Sequence, residues 1–243
     1  VGNTITGAGT FTRGTGTVNY YNSGAQTVGT YTYNNLTLSG SGAKTTTSVT
    51  VNGILSMEGI ATASAAPTYG SAATLQYNTA TARTVGAEWI GTFASTGGVI
   101  IAGTGAITMN NPKIFNTNIP LTISNGATLN TSNNAINFGG NFVNNGTFTV
   151  GSSNITIFGN GIQNIAGFTT GGSVSVTKNG GKATLTSNTT GLNFSINLGA
   201  ILSLGTGLVH TANGSLTLTG NPAGTVNGSW GGNGSAATNI KSS

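Results

Sequence analysis

Three residues carry most of the acid–base chemistry available to this chain: Glu58, Glu88 and His210. Those two glutamates are its whole complement of acids, because Asp is absent, and there is no cysteine. Glycoside hydrolysis by paired carboxylates needs the two groups about 5–10 Å apart. Glu58 and Glu88 are well separated along the chain, and no third acid is present to orient or tune them. A Ser-His-acid triad would have to draw its acid from the same pair. A zinc site on one His without Cys or Asp is not credible, and repeat-type calcium sites need recurring Asp. The sequence therefore predicts no enzyme, no metal and no cofactor. His210 reads as a surface or loop histidine beside Asn213-Gly214.

Aromatic platforms near Asn side chains are the remaining chemistry. Trp89, Trp230 and the pair Tyr20–Tyr21 are candidates for stacking on sugars, with Trp89 and Trp230 taken as surface contacts. The alternative places the tyrosines and alternating aromatics in or beside a core, and the tryptophans over loops. The seven basic residues, Arg13, Lys44, Arg83, Lys113, Lys178, Lys182 and Lys241, set a formal charge of +5. They are spread thinly, unlike the clustered basic face of a nucleic-acid binder. They read as isolated, solvated charges, and no nucleic-acid partner is expected. Glycine-rich runs such as GTGLVHTANG (205–214) lack the Gly-Lys-Ser/Thr ending of a phosphate loop.

The elements that must position these residues are strands. Charged residues make up 4% of the chain, hydrophobic ones 36%, and Gly fills 41 positions. The apolar residues alternate, as in Leu36 and Leu38, Val49 and Val51, Ile155 and Ile157, and Val174 and Val176. Period two marks strands with one buried face. The partners on the other face are mostly Thr, Ser and Asn. No stretch approaches the roughly 20 apolar residues of a membrane helix, so membrane insertion is not expected. No secretory leader is visible, as expected where one has been removed or was never part of this stretch.

The chain also repeats itself. TFTRGTGTVNYYNSGAQTV (10–28) lies over TFTVGSSNITIFGNGIQNI (147–165), matching Val18 to Ile155, Tyr20 to Ile157 and Gln26 to Gln163. After a one-residue slip Leu36 falls on Val174 and Lys44 on Lys182, and after an insertion ILSM (54–57) falls on ILSL (201–204). This divides the chain into a unit at 1–137 and a shorter, diverged unit at 138–243, continuous with the first. Within both, strands run into Asn-Gly: Asn52-Gly53, Asn125-Gly126, Asn145-Gly146 and Asn213-Gly214. Asn-Gly turns a chain because both residues tolerate positive φ.

A β-sandwich array and a parallel β-helix both fit strands and turns of this kind. Short strands, Gly and Asn turns, and mid-sized Val, Ile and Leu favour the all-β parallel β-helix, a β-solenoid of short stacked coils with little or no helix. Uncharged ladders suit a strand spacing of about 4.8 Å, at which stacked like charges repel. Roughly 20 residues per coil predict on the order of 12 coils and a rod about 55 Å long. The asparagine-glycine pairs are then corners, and Gln26 and Gln163 are candidate stacked corner residues. The stretch 60–120 holds Pro67, Pro112 and Pro120 and reads as further coils with protruding loops.

The runs NNLTLSGSGAKTTTSVTVNGILSMEG (34–59), AATLQYNTATARTVGAEWIGTF (72–93) and GGNFVNNGTFTVGSSNITIFGNGIQNI (139–165) resemble the repeats of very large Bacteroidota cell-surface proteins. Those are filamentous, adhesin-like chains, often exported by the type IX route. The resemblance implies an extracellular or cell-surface structural or adhesive role and carries over no catalytic residue. The expected partners are further repeats of a longer chain or copies of itself, and surface glycans in the alternative reading. A remoter alternative is ice binding through Thr-x-Thr pairs such as Thr10–Thr12 and Thr30–Thr32, although such pairs do not recur at one coil period.

Overall fold

The computed structural model describes residues 1–5, 11–12 and 14–218, with the backbones alone of Ser229–Gly231 and Asn239–Ser242. Among these residues every regular element is a strand. The strand pairs are parallel, and, apart from Val209–Leu218 with Ser229–Gly231, strands adjacent in the chain do not pair with one another. Each pairs instead with the strand about 20 residues on, which makes a β-solenoid of about ten turns. At the ordinary strand spacing that is a rod of roughly 50 Å.

A full turn carries three strands. The first belongs to a ten-stranded sheet that begins at Thr17–Tyr20 and ends at Leu202–Ser203. The second belongs to a three-stranded sheet opening at Gln26–Thr27, and later to a four-stranded sheet from Arg83–Thr84 to Thr147–Thr149. The third belongs to a three-stranded sheet opening at Thr32–Tyr33, and later to a nine-stranded sheet opening at Thr92–Phe93. From Gln163–Ile165 to Val209–Leu218 the chain alternates between the ten-stranded and nine-stranded sheets alone.

The alternating residues explain this architecture. Val18, Leu36, Leu55, Leu75, Val99, Leu121 and Phe142 follow one another in register up the ten-stranded sheet. Each apolar side chain covers its counterpart one turn away, so no turn has a complete core alone. The core is more aromatic than mid-sized aliphatics predicted. Tyr20, Tyr33, Tyr77, Trp89, Phe93 and Phe115 are all buried. Phe115, Phe138 and Phe142 form a stacked run, with ring centroids 6.3 and 4.7 Å apart.

The coil length varies around 20 residues, and about ten turns lie within the described residues, against the twelve expected of the whole chain. Val18 to Leu36 is 18 residues, whereas Leu75 to Val99 is 24. The stretch 60–120 stays within the rod. Pro67, Pro112 and Pro120 each stand directly before a strand, at Thr68–Tyr69, Lys113–Phe115 and Leu121–Ile123. At a strand entry the missing N–H costs the ladder least. The strand Ile136–Phe138 spans the junction of the two sequence units.

Three Asn-Gly pairs are corners between sheets. Asn52-Gly53 leads from Thr50–Val51 into Ile54–Met57, and Asn125-Gly126 and Asn145-Gly146 lead from the ten-stranded into the four-stranded sheet. Gly126 has φ +78°, the left-handed region. The fourth pair corrects the expectation. Asn213-Gly214 lies inside the strand Val209–Leu218, where Gly191 pairs Ala212 and Asn193 pairs Ser215. Two residues there oppose one, so the pair forms a bulge instead of a corner.

The repeated phrase is also placed unexpectedly. Val18 and Tyr20 lie in the ten-stranded sheet, and their sequence matches Ile155 and Ile157 lie in the nine-stranded one. Gln26 occupies the second strand of its turn, and Gln163 the first. The repeated unit is thus a strand, a corner and a strand, reused one face around the rod.

Close stacking makes a specific prediction. A Cβ on Gly103 would collide with the backbone O and N of Thr79 in the turn below, whereas one on Gly91 would meet nothing within 4 Å. Gly103→Ala is expected to destabilise by about 3 kcal/mol, and Gly91→Ala to stay within about 0.5 kcal/mol of the parent. Urea unfolding midpoints measure both. Equal midpoints for the two variants would contradict the stacking.

Candidate functional site

The structure overturns the expectation of solvated charges. Lys44 and Lys113 are fully buried, Lys178 is 2% exposed, and the Arg83 side chain is 6% exposed. All four stand at inward positions of strands. Lys178 is in phase with Val174 and Val176, Lys113 with Phe115, and Arg83 pairs with Ile107 at the foot of the column that continues to Leu129 and Phe148. The same alternation that locates the core therefore locates these cations. Lys182 is exposed, as expected. The side chains of Arg13 and Lys241 lie outside the described residues.

Two lysines form similar nodes with the two glutamines. Gln26 Nε2 donates to Val1 O and Asn3 O at 2.8 and 3.0 Å. Gln163 Nε2 donates to Phe138 O and Gly140 O, both at 3.0 Å. Each amide oxygen accepts a lysine ammonium, from Lys44 at 3.3 Å and Lys178 at 2.7 Å. Lys44 also donates to Asn22 O and Gly24 O, and Lys178 to Gly159 O and Gly161 O. Gln26 and Gln163 are thus buried anchors, each bound to the neighbouring turn, and not surface corners stacked on one another. Lys44 stacks on Gln26 in register, whereas Gln163 pairs Ala183 and takes its cation from the strand after it. The matching residue is accordingly Lys178 and not Lys182. Burial lowers the pKa of both buried lysines.

A third node lies at the corner between Arg83–Thr84 and Thr92–Phe93. Glu88 points inward and is fully buried. Its Oε1 accepts from Tyr77 Oη at 2.9 Å and Gly86 N at 2.8 Å, and lies 3.7 Å from Arg83 Nη2. Tyr69 Oη donates to Glu88 O at 2.7 Å. Trp89, expected at the surface, is 2% exposed. It packs between Tyr77 and Phe115, with ring centroids 5.8 and 6.1 Å away. The Lys113 ammonium stands 5.5 Å from the Trp89 ring centroid and donates to Trp89 O and Asn110 Oδ1. Trp89 is buried because its corner folds inward to cover Glu88 and its partners. The side chain of Trp230 lies outside the described residues; its backbone pairs beside His210.

These groups hold the wall together. Burial lowers the Lys113 pKa to about 8, with Glu88 opposing the shift. Burial, with the Glu88 charge nearby, raises the Tyr69 and Tyr77 phenols well above their ordinary range. Glu58 lies outside the wall, in phase with Ser56, whose hydroxyl donates to Glu58 Oε1 at 2.9 Å. The two carboxylates therefore stand on opposite sides of a packed sheet. His210 is a further correction: it is fully buried, with Nε2 2.6 Å from Leu204 O. Burial lowers its pKa, and the contact with Leu204 O works the other way. Its position in a strand beside Thr189, itself 1% exposed, turns it inward. No group of three or more metal-binding side chains occurs among the described residues.

Threonine rows do recur along the rod. Thr84, Thr108, Asn130 and Thr149 follow in register, as do Thr128 with Thr147 and Thr32, Thr50 and Thr68. Unequal coil lengths hide the first row from any fixed sequence period, whereas Thr32, Thr50 and Thr68 keep a spacing of 18 residues. Thr12 is described, but Thr10 lies outside the described residues. No family model, curated protein or solved structure matches the chain.

Breaking the buried ion pair should be costly. Glu88→Gln keeps the acceptor for Tyr77 but strands Arg83, with an expected loss of about 3 kcal/mol. Adding Arg83→Met should recover most of it. A double variant no more stable than Glu88→Gln would show that the two charges are not coupled.

The buried lysines also set the pH dependence. Between about 8 and 10.5 the folded Lys113 has lost a proton that the unfolded chain keeps, so stability rises with pH. Above 10 the unfolded chain loses phenolic protons that Tyr69 and Tyr77 retain, so stability falls. Below 6.5 the unfolded histidine gains a proton that His210 resists, and stability falls again. Urea midpoints should therefore be higher at pH 9 than at pH 7, with a smaller rise in Lys113→Met. A steady decline from pH 7 upward would count against charged lysines in the core.

Proposed function

We propose that this chain is a non-enzymatic structural or adhesive module, a rigid segment of an extracellular bacterial surface protein. The observation that supports it most is the placement of its charges. The groups most suited to acid–base chemistry, Glu88, Lys113 and His210, are committed to a packed interior, and Glu58 stands apart from them on the outer face. Parallel pairing extends from Thr17 to Leu218 and continues through Ser229–Gly231 and Asn239–Ser242. Stacked turns of this kind resist bending and pulling as a unit, because each shares hydrogen bonds with both neighbours. The outer rows of Thr, Ser and Asn suit a surface that must not repel itself at strand spacing.

The resemblance to giant Bacteroidota repeats supplies the location, outside the cell and by the type IX route. The partners in this reading are neighbouring repeats or further copies, since strand edges at the end of a solenoid pair readily with another turn. Immunogold labelling of intact cells that express the chain tests the reading. Label on extended structures outside the envelope is the expected result. Label confined to the cytoplasm would overturn it, as would hydrolysis of a polysaccharide that is lost in Glu88→Gln.

A further inference from the structure

The outer face of the nine-stranded sheet contains a shallow groove of about 510 Å³. Ile114, Asn137 and Thr156 follow one another up the sheet in register, and Phe158 pairs Thr177 beside them. Ile114 and Phe158 are half-buried and supply an apolar floor. Around it stand the amides of Asn137, Asn160 and Asn179 and the hydroxyls of Thr117, Thr156 and Thr177. Gly159, with φ +93°, leaves the space beside Phe158 open, and a Cβ there would press on Thr117.

The three amides differ from the asparagines that brace the ladder. In several others the amide oxygen accepts a backbone N–H one turn on: Asn35 from Ile54, Asn133 from Ser152, Asn154 from Ser173 and Asn193 from Ser215, at 2.8 to 3.0 Å. Those asparagines hold the ladder. The side chains of Asn137, Asn160 and Asn179 meet no protein partner among the described residues, and neither do the three threonine hydroxyls. Six hydrogen-bonding groups with unused capacity thus surround an aromatic ring.

No charged residue lines the groove. Lys113 and Lys178, its nearest cations in sequence, turn inward and are buried. A ligand matched to this lining is uncharged. It carries an apolar face to lie on Phe158 and Ile114, and many hydroxyls to engage amides that both donate and accept. A pyranose has that character, with C–H groups on its faces and hydroxyls at its rim. The groove crosses four turns, from Ile114 to Thr177, which is three strand spacings or about 14 Å. Its volume falls in the usual range for small-molecule sites.

We propose that this groove is a binding site for a neutral oligosaccharide, with Phe158 as the stacking platform and Asn137, Asn160 and Asn179 as the hydroxyl-reading groups. The site is independent of the rod's mechanical role, and one reading can fail without the other. It replaces Trp89 as the carbohydrate contact, since Trp89 is in the core.

Nuclear magnetic resonance titration of the isotope-labelled chain tests it. The probes are cellohexaose, mannohexaose and maltohexaose, with hexagalacturonate as the acidic comparison. At least one neutral hexasaccharide should shift the side-chain amide signals of Asn137, Asn160 and Asn179 at concentrations up to about 10 mM. Phe158→Ala should weaken that binding roughly tenfold, and Asn160→Ala, an exposed corner position that keeps the fold, roughly fivefold. The proposal is overturned if none of the three neutral probes shifts these signals, if the acidic probe binds equally well, or if binding is unchanged in Asn160→Ala.

Discussion

Every feature of this molecule depends on stacking at one strand spacing. Each residue in a turn lies about 4.8 Å from its counterpart in the next, so whatever a turn presents is presented again almost in contact. Apolar residues gain from this, as in the column from Val18 to Phe142. Uncharged Thr, Ser and Asn tolerate it and bond along the column. Repeated charges would not, because like charges opposite one another are destabilising. A chain that is 4% charged is what this constraint leaves on the outside of such a rod.

On the inside the same constraint has a different outcome. Around the corners backbone carbonyls turn toward the core, some already accepting from the next turn and some not, and a buried carbonyl left unbonded is costly. Lys44 and Lys178 meet that need with ammonium groups, each bonded to two carbonyls and one glutamine oxygen. Lys113 does the same at Trp89 O. The counter-partners of these cations are mostly backbone dipoles and amides, not carboxylates. That accounts for a basic balance without a basic surface: the excess of lysine over acid is in good part internal.

Much of this was legible in the sequence, and the parts that were not share physical causes. Alternation of Val174 with Val176 and Ile155 with Ile157 identifies the strands, and Asn52-Gly53, Asn125-Gly126 and Asn145-Gly146 mark the corners. Lys178 was equally readable, since it continues the Val174–Val176 phase. It was misread because a cation is ordinarily costly to bury, and the carbonyls that offset the cost belong to the preceding turn. Trp89 and His210 were misplaced for a related reason. Their burial is decided by how a corner folds or a strand faces, and alternation says little at a corner. Asn213-Gly214 has the composition of a corner, but pairing on Asn193 and Gly191 holds the strand straight through it. The carbohydrate groove left no clear motif, because its residues come from four turns of unequal length.

The displaced repeat explains why composition here is so uniform while geometry is not. If coils had been duplicated whole, residues matched in sequence would share a face. Val18 and Ile155 do not; the strand–corner–strand unit has moved one face around. A unit that works on any face must keep an inward apolar phase and a turning corner, and little else. Gln26 and Gln163 show what else persists: an amide that bonds the turn before and receives a lysine, even though that lysine comes from the stacked strand in one case and the succeeding strand in the other. Outward positions carry no such requirement once their asparagines are not needed by the ladder. At Asn137, Asn160 and Asn179 that freedom leaves amide groups facing solvent around Phe158, so a recognition surface can arise there without altering the wall that supports it.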